Sequence, residues 1–310
     1  MRVIFAFLFA ALLFAGPPAA RNKLLTIPFW VQAENGEAEA ALTPKDLHVT
    51  VNGVAAAPVR LLGPGDDLML LVVADMAEDL TLAQAAKSAL SSRIQQLPPK
   101  AEVGLLRAQD GLRVLVDPTA NRALVTAAIE SLPVSGRAGL LETVLTVARL
   151  GDSVLSKAAV RVAVLYVSDS EVTNYREDFT NPVVNRSDSG DMSRRFRDSL
   201  IRERISKLET ALAGVKTPVF ILHLAYRSDE LNQAYQTGLM RLAAATGGTS
   251  FFCRSQTEIP DAMQRVFEAI ASKYNVRVRL PASARSSLKV TLESPGRSLN
   301  YRDRFLLGEK

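Results

Sequence analysis

A 310-residue chain with 48% apolar and 22% charged side chains can hold one sizeable domain and a small companion, and this composition excludes an intrinsically disordered protein. The net charge of +5 arises from interspersed acids and bases, so no nucleic-acid surface is expected. The densest basic stretch, Arg194, Arg195, Arg197, Arg202 and Arg204, is broken by Asp198 and Glu203 and reads as a solvated helix face. The single cysteine, Cys253, excludes an internal disulfide; it ends an apolar run and lies far in sequence from either histidine, which describes a buried thiol and not a nucleophile.

At the N-terminus Arg2 precedes an apolar run from Val3 to Ala15, then Gly16-Pro17-Pro18-Ala19-Ala20 and Arg21. A positive start, a short apolar core and a small-residue end describe a secretory signal peptide over residues 1–20. The run is short for a membrane span. A secreted or periplasmic mature protein without an integral membrane segment is therefore expected, with an uncleaved anchor as the alternative. Residues 21–66 are β-rich: a strand over 26–33, an alternating run over 46–51 and a turn at Asn52-Gly53. Gly63-Pro64-Gly65 then breaks the chain.

From residue 67 the pattern changes. Leu68 to Asp75 is a near-continuous apolar run that ends in an acid, and Leu82, Ala86, Leu90, Ile94 and Leu97 mark one face of the helix that follows. Strands are expected over 102–108 and 112–116 around Asp110-Gly111, which makes one sheet edge a hairpin. Helices over 121–132 and 140–150 precede Val162 to Asp169, a second apolar run that ends in an acid. A polar loop over 170–193, a helix over 194–213, a strand over 218–224, a helix over 231–245, a strand over 250–253 and a helical stripe from Ile259 to Tyr274 follow. Strands buried on both faces and alternating with helices specify an α/β, doubly wound, Rossmann-like sandwich over 67–275. The tail, 276–310, returns to half-buried alternation at 276–280 and 288–292. Neither β segment can bury a core alone, so 21–66 and 276–310 are expected to pair into a small flanking β domain.

The two apolar runs bring Asp75 and Asp169 to the same, carboxyl edge of the sheet, where such folds bind their ligands. One strand-end aspartate is commonly a helix cap; two together point to a site. The arrangement resembles the von Willebrand factor A domain over roughly 67–274. That family holds a divalent cation with Asp-x-Ser-x-Ser after its first strand, a Thr in a later loop and an Asp after its fourth strand. The first motif here reads Asp75-Met76-Ala77-Glu78-Asp79, and the Thr loop is best matched by Gly136-Arg137-Ala138-Gly139-Leu140-Leu141-Glu142-Thr143-Val144. All three hydroxyl positions are thus altered, to Ala77, Asp79 and Ala138, and Asp169 is intact. The order of export signal, Asp-Leu-x-Val-x-Val-Asn-Gly phrase, core ending in Leu242-Ala243-Ala244-Ala245-Thr246-Gly247-Gly248 and the closing Tyr301-Arg302-Asp303-Arg304 is similar to a bacterial, Acidobacteria-like exported subgroup of that family.

The resemblance implies a protein-binding module for adhesion or assembly, with a degenerate metal-ion-dependent adhesion site. Two states of that site are open. Asp75, Asp79 and Asp169 hold Mg²⁺ or another divalent cation, or Arg137 reaches Asp75 or Asp169 and replaces the ion by a salt bridge. In either case the expected partner edge is Asp75, Asp79, Arg137, Ala138, Asp169 and Ser170, with the 170–193 loop as a lid or recognition loop; Glu78 is expected to be solvated. Nothing points to an enzyme: His223 reads as a core histidine, His48 faces outward, and no nucleophile elbow, phosphate loop or dinucleotide fingerprint occurs. A metal-dependent phosphatase-like hydrolase using Asp75 and Asp169 is the second reading, although a downstream lysine and second acid are missing. An envelope scaffold that works through its β flanks is the third.

Overall fold

The computed structural model describes residues 23–32, 42–176 and 198–307. The expected signal peptide, most of the expected 170–193 loop, and Arg194, Arg195 and Arg197 lie outside these residues. The chain begins with β1 (Leu24–Gln32), β2 (His48–Val51), β3 (Val54–Ala55) and β4 (Pro58–Leu62). The core follows as β5 (Leu68–Asp75), α1 (Leu80–Gln95), β6 (Glu102–Arg107), β7 (Arg113–Thr119), α2 (Arg122–Glu130), α3 (Leu140–Lys157), β8 (Arg161–Ser168), α4 (Ser199–Leu212), β9 (Val219–His223), α5 (Glu230–Ala245), β10 (Ser250–Phe252) and α6 (Ile259–Ala271). Strands β11 (Tyr274–Arg279), β12 (Ser287–Glu293), β13 (Ser298–Tyr301) and β14 (Arg304–Leu306) close the chain.

The core sheet has the order β10-β9-β8-β5-β6-β7. Its neighbours are parallel except for β6 and β7, whose hairpin turns through Asp110 and Gly111, both at positive φ. Strand β8 is buried along its whole length because helices cover both faces. Helices α1, α2 and α6 pack through Ala86, Leu90, Ile129 and Val266 against Leu70, Val72, Leu165 and Phe220. Helices α3, α4 and α5 pack through Val144, Ile205 and Leu239 against Leu71, Val73, Tyr166 and Ile221 on the other face. The fold is the expected α/β doubly wound sandwich. Order along the sheet reverses between β5 and β8, where Asp75 lies opposite Ser168.

Two four-stranded sheets, β13-β1-β11-β4 and β14-β12-β2-β3, flank the core. Each mixes strands from both ends of the chain, and Ile27, Phe29, Val49, Val51, Val276, Leu288 and Val290 share one apolar centre between them. This unit joins the amino end of the core sheet. Trp30 of β1 donates from Nε1 to the Ala269 carbonyl of α6 at 2.8 Å, and Lys273 lies against the Trp30 ring, 3.3 Å from its centroid.

Candidate functional site

Chain reversal between β5 and β8 opens the carboxyl edge at Asp75 and Asp169. Asp75 is fully buried. Its Oδ1 accepts the Gly139 N–H at 2.8 Å, and its Oδ2 accepts the Leu140 N–H at 3.1 Å and the Ser168 hydroxyl at 3.3 Å. The Ser170 hydroxyl donates to the Asp75 carbonyl at 3.2 Å. These main-chain donors are the first of α3, where the helix end carries partial positive charge. Gly139 permits the approach: a Cβ there would lie 2.0 Å from the Ala108 carbonyl oxygen. Burial, reinforced by the nearby Asp169 carboxylate, raises Asp75 to about 7 against the pull of those hydrogen bonds.

Asp169 is held the same way by the other loop. Its Oδ1 accepts the Ala77 N–H at 2.7 Å, and its Oδ2 accepts those of Glu78 at 3.2 Å and Asp79 at 2.9 Å. These donors lead directly into α1. Burial again raises the carboxyl above its ordinary range. Asp79 caps α1, its Oδ1 accepting from the Thr81 and Leu82 N–H groups at 2.8 and 3.1 Å.

Arg137 does not neutralise either acid. Its main-chain N–H donates to Asp110 Oδ1 at 3.0 Å, and its guanidinium reaches the Tyr175 carbonyl at 3.4 Å. The salt bridge expected from the sequence is therefore corrected. The main chain of Gly139 and Leu140 takes the place beside Asp75, because Gly136 and Gly139 let the loop fold down onto Asp110 and Ala108. Ala138 is buried and donates its N–H to the Asn174 carbonyl at 3.0 Å. Of the expected partner edge, Asp75, Ala138, Asp169 and Ser170 are buried, Asp79 is half-buried and Arg137 is exposed.

Much of the exposed rim comes from residues that carried no sequence signal. Arg227, after β9, pairs with Glu78 at 3.1 Å and with Glu171 at 3.5 Å. Glu78 is not simply solvated: partial burial raises its carboxyl pKa, as does Glu171 beside it. Asn232 of α5 accepts the Val172 N–H at 3.1 Å and donates to Glu171 at 3.3 Å. Leu80 and Tyr226 are exposed beside this strap, at 71% and 40%. Beneath it His223 is buried, its Nε2 paired with the Ser170 carbonyl at 2.9 Å. Burial lowers it to about 4, so the ring is neutral at pH 7. Tyr175 and Tyr235 pair through their hydroxyls at 2.7 Å. Cys253 is buried, as its apolar run implied.

The resemblance implies a divalent cation at this edge, and the donor set does not fit one. Magnesium takes six oxygens in near-octahedral array. Here both oxygens of Asp75 and of Asp169 already accept N–H groups, and the three hydroxyl positions are Ala77, Asp79, which caps α1, and Ala138. Among the described residues no group of three or more His, Cys, Asp or Glu is placed to hold a metal ion.

A doubly wound sheet with two buried aspartates at its switch point defines the class of protein. In architecture the chain is similar to von Willebrand factor A domains. No protein-family model matches it, and no curated protein matches it. Among solved structures it is similar to a von Willebrand factor type A protein from Catenulispora acidiphila, at 11% identity and TM-score 0.46, over 92% of this chain and 74% of that one. An aerotolerance-related membrane protein from Bacteroides fragilis is similar at 12% identity and TM-score 0.41, over 66% and 98%. BatB from Bacteroides thetaiotaomicron is similar at 13% identity and TM-score 0.39, over 66% and 100%. No helix among the described residues is long and apolar enough to cross a membrane.

Proposed function

We propose that this chain is an exported protein-binding module, for adhesion or assembly, that captures its partner on the carboxyl edge of the core sheet without a metal ion. The observation that carries the reading is the cross-tied rim: Asp169 holds the loop before α1, and Arg227 joins that loop to the one after β8. A surface assembled from separate loops and held in one arrangement binds with little ordering cost. The contacting side chains are Glu78, Asp79, Leu80, Arg137, Tyr226 and Arg227; Asp75, Ala138, Asp169 and Ser170 support them from beneath. Hydrolysis finds no support in the geometry. The Ser168 and Ser170 hydroxyls do reach the Asp75 carboxylate, but all three side chains are buried, so a substrate has no open path to a nucleophile there.

The test is site-specific photo-crosslinking in cells that export the protein, with the probe at Leu80 or at Val59 of β4, which is 50% exposed. A discrete protein adduct from position 80, reduced by Arg227→Glu, is expected. Adducts only from position 59 would give the function to the β flanks, as in an envelope scaffold. Mass spectrometry of the exported protein, expected to begin at Arg21, checks the signal peptide.

A further inference from the structure

We infer that main-chain N–H groups at two helix starts have taken over the work of the fold family's divalent cation, leaving Asp75 and Asp169 as positioning residues that take no metal ion. Two buried carboxylates side by side at a switch point need positive charge or hydrogen-bond donors to stay folded into the sheet. One solution is an ion shared between them. The other is built into this fold. The Gly139 and Leu140 N–H groups begin α3 and close on Asp75; those of Ala77, Glu78 and Asp79 lead into α1 and close on Asp169. Each helix start carries the equivalent of about half a positive charge, and both face the carboxyl edge because every β-to-α connection of a parallel sheet begins there.

Three further observations agree. Two of the three hydroxyl positions that would complete a cation's shell are alanines, Ala138 buried at 2% exposure. The third acid, Asp79, is turned into α1 as its cap. The cation beside the Thr-loop position, Arg137, is bonded to Asp110 through its main chain and to Tyr175 through its side chain, so it does not take the role. The two aspartates thus fasten the loops that carry Leu80 and Arg137, and act on a partner only through those loops. The consequence rests on the carboxyl edge being the partner surface; the absence of an ion does not.

The experiment uses the full mature chain. Calorimetric titration with Mg²⁺, Ca²⁺ and Mn²⁺ is expected to show no saturable binding, and melting temperatures in EDTA and in each ion are expected to coincide. Asp169→Asn is expected to melt several degrees lower, by the same amount with or without ions. Saturable binding of any of the three, lost in Asp169→Asn, would overturn the inference. So would an Asp169→Asn protein that melts like the parent. If that variant fails to fold, Asp79→Ala stands in for the titration, and a change in ion response relative to the parent again overturns the inference. Crosslinking from position 80, repeated in EDTA, separates the two readings. Ion binding with adducts retained in EDTA sinks only this inference; no adducts and no ion binding sinks only the partner surface.

Discussion

The two ends of the core sheet solve the same problem with opposite signs. At the carboxyl end two buried acids are held by main-chain N–H groups. At the amino end buried cations are held by main-chain carbonyls. Arg161, at the start of β8, donates to the Ala271, Lys273, Pro64 and Asp66 carbonyls at 2.9 to 3.1 Å. Arg302, half-buried, donates to the Val215 carbonyl at 2.8 Å and to that of Ala213. Lys273 donates to the Gly247 carbonyl and lies between Trp30 and Phe220. Helices in a doubly wound sheet start at one end and finish at the other, so free N–H groups collect beside the acids and free carbonyls beside the bases. The amino end uses this to dock the flanking sandwich. The carboxyl end uses it to fix loops whose exposed tips remain available.

That symmetry is open to direct attack. Arg161→Met is expected to have the largest effect, because it leaves several buried carbonyls unpaired; a loss of about 3–5 kcal/mol is expected in urea unfolding. If it were under 1 kcal/mol, the carbonyl cluster would not depend on its cation. Asp75→Ala strips the Gly139 and Leu140 N–H groups and the Ser168 hydroxyl of their acceptor, with an expected loss of about 2–4 kcal/mol in the same measurement.

Titration discriminates more finely. The folded state raises the Asp75 carboxyl to about 7 from 3.8 and lowers His223 to about 4 from 6.5. The raised acid binds its proton more tightly when folded, so its contribution to stability falls as pH rises from about 4 to about 7. The depressed histidine binds its proton more weakly when folded, so its contribution rises from about pH 4 to about 6.5. The two slopes oppose each other. Asp75→Asn is expected to remove the falling slope and leave stability rising more steeply with pH across that window. Urea midpoints measured in parallel for both proteins check this, and an unchanged slope would mean that Asp75 does not titrate there.

Lys273 probes the amino end in the same way. Burial depresses it well below 10.5, so its contribution to stability rises as pH climbs toward that value. Lys273→Met is expected to abolish this alkaline rise while changing stability at neutral pH by no more than about 1 kcal/mol, since burying a charge offsets much of what its contacts contribute. The smallest effect is expected at the rim. Arg227→Ala breaks a partly exposed strap, with an expected cost below about 1 kcal/mol that shrinks in high salt, yet it should weaken capture through position 80.

How much was legible depends on the range of the interaction. The apolar runs into Asp75 and Asp169, the Asp110-Gly111 turn and the helical stripes are local patterns, and they specify the sandwich and the acid-bearing edge because burial selects period 2 or 3.6 directly. The Ser168-Asp169-Ser170 run also lies open in the sequence. What covers the acids was not legible. A main-chain N–H leaves no mark on residue identity, and Gly139 gave the only hint, as a position with no room for a side chain. Arg137 was the cation beside the Thr-loop position and the wrong one, for the loop turns it toward Tyr175.

By itself, then, the sequence determined an α/β sandwich, β flanks drawn from both ends of the chain, and two aspartates at one sheet edge; each follows from periodicity and from where strands stop. Only the tertiary structure decided that the aspartates are buried beneath the rim, that Arg227 straps the loops above them, and that helix starts supply their donors. Those outcomes depend on which loops meet after the sheet has formed, and on main-chain dipoles whose direction comes from the fold and not from any side chain.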